Sequence, residues 1–233
     1  MKYIFREKDN TIETGKHSLG LILEYHKSLW PISCLFFTLY HNNLSIRNSM
    51  MSAFFSVYGI LWVIKSNTFY DKLFYFDKQY HHNLLTSIIN FSSINVYFLY
   101  PYLSSTNQNE ITSIETFLAC SLFSVGGFFH YAADSQKFYT LKYKPGHLIK
   151  DGLFSIVRHP SYFGEFLMWF GLSTISGYNN IYSYIPILWL FMATVLIGIP
   201  RKEKSLSKYP DFLEYVKNTS MLFPGDKYIK YTH

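Results

Sequence analysis

Apolar stretches of helical length, separated by short polar ones, dominate this chain. They run over residues 29–40, 50–64, 84–103, 114–133, 160–176 and 181–199. Such segments predict helices that cross a bilayer, since a span takes about 20 mostly apolar residues. The first is short for a span. An amphipathic approach from residue 19, carrying Glu24, His26 and Lys27, has to supply part of it. The third is rich in Ser, Asn and Tyr, with Pro101 near its end, and its polar residues are expected to face other helices rather than lipid. In the fourth, Gly126-Gly127 offers a point of close helix approach. Gly177-Tyr178-Asn179-Asn180 is a turn short enough to make the last two segments an antiparallel hairpin.

The connecting stretches differ in character. Residues 1–18 are polar, 65–82 read as an interfacial connector that mixes charges with aromatics, and 104–110 form a polar loop. Residues 134–158 are polar and basic, with Lys137, Lys142, Lys144 and Lys150 and a turn at Pro145-Gly146. A second basic block, Arg201, Lys202, Lys204 and Lys208, follows the sixth segment. The hairpin brings both blocks out on one side, which the positive-inside rule assigns to the cytosol. The expectation is an all-α, polytopic transmembrane helix bundle of about six spans. Residues 1–113 form an N-terminal region that would face substrate, and 114–233 a C-terminal region ending in a cytosolic segment.

Composition agrees with this pattern. Of 233 residues, 49% are apolar and 20% aromatic, and only 15% are charged, against roughly 25% in soluble domains. The mean hydropathy of +0.05 is held down by the polar loops and termini. The net charge of +6 sits beside apolar segments rather than along a stripe, so the partner it implies is the lipid bilayer and not nucleic acid. Cys34 and Cys120 lie in apolar runs and read as reduced thiols. The N-terminus has no continuous apolar stretch of the kind a cleaved signal peptide carries. Glycine-rich phosphate loops, nucleophile elbows and zinc motifs are absent from the sequence. His81-His82, His130 and His147 have no metal-ligand spacing, so surface or interfacial roles are expected and no metal site.

The chemistry concentrates between Asp151 and Glu165. Pro160 suits the first turn of a helix, and the residue before a proline is pushed out of the helical region. A helix is therefore expected from Pro160, with Arg158 and His159 at its positive end, an arrangement suited to an anion. Tyr162, Glu165 and Trp169 share one face of it. A carboxylate in such an apolar run is costly unless paired, which marks Glu165 as a functional candidate. The second basic block adds Arg201, Glu203, Tyr209 and Tyr215. Plainer readings compete. Lys142, Lys144, Lys150, Lys202 and Lys208 can be topological anchors, Glu203 a surface ion pair with its lysine neighbours, and Tyr209 and Tyr215 interfacial belt residues.

Three elements in order carry a resemblance. Asp134-Ser135-Gln136-Lys137, then Gly152-Leu153-Phe154 with Arg158-His159-Pro160-Ser161-Tyr162-Phe163-Gly164-Glu165, then Gly198-Ile199-Pro200, Glu203-Lys204, Tyr209-Pro210, Tyr215, Thr219 and Pro224 resemble the DUF1295 group. That group is the steroid 5-alpha-reductase-like membrane proteins, in a superfamily with sterol reductases and isoprenylcysteine carboxyl methyltransferases. The resemblance covers about residues 114–225. In the reductase branch it implies NADPH held by Lys137, Arg158, His159, Tyr162, Arg201, Tyr209 and Tyr215. The substrate would be an apolar lipid or steroid-like enone, with Tyr162, or a neighbour oriented by Glu165, as the acid. In the methyltransferase branch it implies S-adenosylmethionine, with His159 near its carboxylate and Glu203 near the adenosyl moiety, and a prenylcysteine carboxylate or a phospholipid amine as methyl acceptor. A non-catalytic membrane protein that keeps the motif for packing is the third alternative.

Overall fold

The computed structural model describes residues 18–71, 75 and 83–225. Among them the regular structure is helical, with one isolated parallel bridge between Val157 and Ser220. In order come α1 (Leu19–Ser28), α2 (Trp30–His41), α3 (Ile46–Thr68) and α4 (Leu84–Ser93). A 3₁₀ turn (Ile94–Phe98) joins α4 to α5 (Leu99–Thr106). Then follow α6 (Ser113–Tyr143), the single turn α7 (Leu153–Ile156) and α8 (Pro160–Gly177). The last long apolar segment starts as a 3₁₀ turn (Ile181–Tyr184) and continues through α9 (Ile185–Phe191), a π-helical stretch (Met192–Gly198) and α10 (Ile199–Leu206), and α11 (Phe212–Asn218) is the last helix among the described residues.

All six expected apolar segments are helical. Three stretches, Ile46–Thr68, Ser113–Tyr143 and Ile181–Leu206, are long and apolar enough to cross a membrane. They leave large apolar side chains uncovered, among them Val57, Ile60 and Ile64, Phe117 and Phe128, and Leu188 and Leu196. Such rows suit lipid rather than water. The chain is an all-α membrane helix bundle. The polar N-terminal residues 1–17, most of the 65–82 connector with His81-His82, and the last eight residues of the tail lie outside the described residues.

Two compact units divide the chain: residues 1–117 with 172–185, and 118–171 with 186–233. In the first, α1 and α3 meet where a β-carbon at Gly59 would come within 2.6 Å of the Lys27 carbonyl. Trp30 stacks on Phe55 with centroids 4.0 Å apart. The buried Lys27 ammonium lies 4.1–4.4 Å from the ring centroids of Trp30, Tyr58 and Trp62, so aromatic faces replace its hydration. Arg47 is held by Glu115 at 3.0 Å and by the carbonyls of Asn109, Glu110 and Ile175. The expected turn after α8 is present, with Gly177 at φ 116° and the Asn180 N–H donating to its carbonyl at 3.0 Å.

In the second unit α6 and α8 lie backbone against backbone. A β-carbon at Gly126 would sit 2.5 Å from the Gly164 carbonyl, and one at Gly164 would strike the Gly126 carbonyl and the His130 N–H. Gly127 has only the Met168 sulfur nearby, at 3.9 Å, so one glycine of the pair makes the approach. At 1.5 Å per residue α6 is about 46 Å long, well beyond the hydrocarbon thickness. The polar stretch expected after residue 133 therefore begins as a continuation of this helix and carries Asp134, Gln136 and Lys137 past its apolar part.

Candidate functional site

The site is built where the stretch before α8 meets the stretch after α10. Gly152 stands at φ 56°, a backbone conformation that side chains rarely adopt. The Gln136 amide fills the place its β-carbon would take. From there Gln136 donates to the Asp151 carbonyl at 2.9 Å and accepts from the Leu153 N–H at 3.2 Å, which starts α7. The glycine and the glutamine, sixteen positions apart in the sequence, thus act as one joint.

Beyond α7 the chain is extended through Val157, and His159 is non-helical, as the following proline requires. The segment after α11 runs alongside it. The Arg158 N–H donates to the Ser220 carbonyl at 2.8 Å and the His159 N–H to the Met221 carbonyl at 3.1 Å. Side chains complete the seam. Arg158 Nε and Nη2 donate to the two carboxylate oxygens of Glu203 at 3.1 and 3.2 Å, and Nη1 donates to the Thr219 carbonyl at 2.6 Å. His159 Nε2 lies 2.7 Å from Glu203 Oε1. Tyr215 is buried, and its hydroxyl donates to the Phe154 carbonyl at 2.7 Å. Leu148, Phe212 and Tyr215 form a small apolar core with Leu206, Tyr209 and Val216 against it. At the exposed edge Lys150 meets Asp211 at 2.6 Å.

Burial holds the His159 imidazole below its usual range, against the pull of the Glu203 hydrogen bond. A neutral ring donating from Nε2 satisfies both conditions. Burial raises the Tyr215 phenol well above the ordinary tyrosine value. Lys150 holds Asp211 below the usual carboxylate range, and Asp211 in turn raises Lys150.

Tyr162 lies on the first turn of α8. Its ring is 6.0 Å from the His159 ring at an interplanar angle of 29°, and the Lys202 ammonium stands 4.0 Å from its centroid. The Tyr162 hydroxyl occupies the space beside Gly198 where a β-carbon would stand, 2.9 Å from it. Glu165, one turn on, is buried and within electrostatic reach of Tyr131 on α6.

The structure therefore brings together Arg158, His159, Tyr162, Glu203 and Tyr215. Glu203 is no surface ion pair, for its side chain is 14% exposed and bridges the Arg158 guanidinium and the His159 imidazole. Tyr215 is a buried staple rather than a belt residue. Lys137 and Tyr209 are half-buried, and Arg201 is exposed. His130, expected at a surface or interface, is buried, with Nδ1 3.0 Å from the Ser161 carbonyl. Cys34 is buried, Cys120 is half-buried, and both are free thiols. Among the described residues no cluster of three His, Cys, Asp or Glu side chains is placed to hold a metal ion.

Comparison with known families matches residues 26–219 to a protein of unknown function, DUF1295. The chain belongs to the DUF1295 family. The match takes in α2 to α6, the joint at Gly152, α8 and the Arg158–Glu203 seam. No curated protein matches the chain. Sequence reasoning names Lys202 only as a topological anchor and Gly198 only as part of the resemblance, and places neither beside Tyr162.

Proposed function

We propose that this DUF1295 chain is a membrane-embedded reductase that uses NADPH to reduce a carbon–carbon double bond in a lipid or steroid-like enone. The observation that carries the reading is Tyr162, a phenol at the mouth of an apolar helix, beside His159 and Lys202 and one turn before the buried Glu165. The donor set suits an anionic, aromatic coenzyme. Arg201 is exposed and Tyr209 half-buried after the π-helical stretch, and Lys137 is half-buried on α6. These three would meet phosphates and the adenine ring. Arg158, spent on Glu203 and Thr219, would shape the site from behind, as would His159 and Tyr215.

NADPH, when bound, supplies a hydride to one carbon of the double bond and leaves as NADP⁺. The Tyr162 hydroxyl would donate a hydrogen bond and then its proton to the enone oxygen, giving an enol that becomes the saturated ketone by taking a proton from water at the α-carbon and releasing the one on oxygen, which restores the phenol. Glu165 would orient that hydroxyl or the group beside it. Residues 1–113 would select the substrate, and the coenzyme side would face the cytosol, as the basic blocks imply.

The S-adenosylmethionine reading places Glu203 at the adenosyl moiety. Both oxygens of Glu203 are already engaged by Arg158 and His159, so that role has less support. Thermal unfolding of the detergent-solubilised chain separates the alternatives. NADPH at a hundred times its dissociation constant should add about 2.7 kcal/mol of stability, and S-adenosylmethionine none. The reverse result favours a methyltransferase, and no shift with either a non-catalytic protein.

A further inference from the structure

Lys202 lies between two exposed cations, Arg201 and Lys204, but is itself half-buried. In sequence it reads as one more topological anchor. Its ammonium instead stands over the Tyr162 ring, 4.0 Å from the centroid, and close enough to His159 to oppose its protonation. The backbone explains why. A π-helical stretch of seven residues, Met192–Gly198, directly precedes α10. The wider turn shifts the phase of every later side chain relative to an unbroken α-helix, and such turns recur at functional sites. Here it presents Gly198 to the Tyr162 hydroxyl and Lys202 to the Tyr162 ring from one helical segment.

We propose that Lys202 is a positioning residue for Tyr162: its ammonium over the ring holds the phenol in one orientation, with the hydroxyl seated beside Gly198. This rests on the reading of Tyr162 as the proton donor. The cation has a second effect on that chemistry. Proton transfer leaves negative charge on the phenol, and an ammonium already fixed over the ring stabilises that charge without reorganisation. Gly198 is part of the same device. A methyl there would meet the hydroxyl at 2.9 Å, and with the Ala193 carbonyl 3.3 Å away on another side it is the hydroxyl that has to move.

Measurements on the full chain in detergent test this. Competitive labelling with an amine-reactive reagent reads the contact with no cofactor present. Lys202 is expected to react more slowly than Lys204. Tyr162→Leu should remove the difference, and Tyr162→Phe, which keeps the ring face, should preserve it. NADPH affinity, read from its fluorescence, is expected to stay within about twofold of wild type in Lys202→Met, while single-turnover oxidation of bound NADPH by progesterone as a probe enone slows by about tenfold or more. Tyr162→Phe should slow it too, the double variant should be no slower than Tyr162→Phe alone, and Lys202→Arg should recover the rate. Gly198→Ala should behave like Lys202→Met in both readouts.

Equal labelling of Lys202 and Lys204 overturns the contact. A Lys202→Met chain that loses NADPH affinity but keeps its rate once loaded makes Lys202 a phosphate ligand and overturns the positioning role. Failure of the reductase reading looks different, because the wild-type chain then binds no NADPH while the labelling pattern stands.

Discussion

Arg158 and Glu203 meet through two parallel hydrogen bonds, of 3.1 and 3.2 Å, across forty-five residues of sequence. The Arg158 side chain is 4% exposed, and the same carboxylate receives His159. The pair is the keystone of the seam between the stretch before α8 and the stretch after α10.

Removing either partner should cost stability unequally. Glu203→Ala strands a buried guanidinium and takes away the imidazole's partner, whereas Arg158→Ala leaves Glu203 with His159. Breaking a buried pair is worth about 3–5 kcal/mol, and Glu203→Ala is expected at the upper end, with Arg158→Ala below it. Chemical or thermal unfolding in detergent measures both. A loss of coenzyme affinity in Arg158→Ala with unchanged stability would show the guanidinium acting on the ligand instead.

Stability should also fall on mild acidification. Burial depresses the folded-state affinity of His159 for protons, so the unfolded chain binds more protons between the folded value and the ordinary imidazole value. Stability therefore rises with pH through that window. The contribution is complete above about pH 6.5 and is lost as the pH drops toward the folded value. His159→Asn is expected to flatten the dependence of the melting temperature on pH there. An unchanged slope would place the titration elsewhere.

Gly152→Ala should be destabilising by about 1–3 kcal/mol, through its positive φ and the displaced Gln136 amide. Gln136→Ala should cost less, since it removes the hydrogen bonds at the start of α7 but leaves the backbone unstrained. Unfolding midpoints of the two variants decide, and equal losses would mean the strain is not the larger part.

Gly164→Ala and Gly127→Ala make a matched pair. A methyl at Gly164 strikes the backbone of Gly126 and His130, while one at Gly127 meets only a flexible thioether. The first is expected to give an aggregated or poorly expressed chain in fluorescence-detected size exclusion, and the second a monodisperse peak. Tolerance of both would mean α6 and α8 can separate at no cost.

The sequence made some of these features legible and left others out of reach. Helices were readable at all six apolar segments because hydrophobic length and turn residues are local signals. So was the helix start at Pro160, which the ring's fixed φ dictates. The extra ten residues of α6 were missed because its apolar run stops at residue 133 while helical hydrogen bonding continues on good helix formers such as Gln136, Lys137 and Leu141. Local pattern cannot report which carboxylate answers Arg158. Glu203 sits between two lysines and looks solvated, and only the tertiary approach of α10 reveals that it faces inward. The same holds for Arg47 and Glu115, and for the aromatic faces around Lys27. The π-helical stretch also has no composition of its own, so the phase of Lys202 was unreadable.

Whether this site delivers a hydride is best read by isotope. Membranes bearing the chain would be incubated with NADPH deuterated at the nicotinamide C4 position, and their lipids examined by mass spectrometry. The expected result is a reduced lipid that gains one deuterium from the coenzyme and one hydrogen from water, present with wild type and lost with Tyr162→Phe. Deuterium absent from every lipid in membranes where the folded chain is abundant would contradict the reductase.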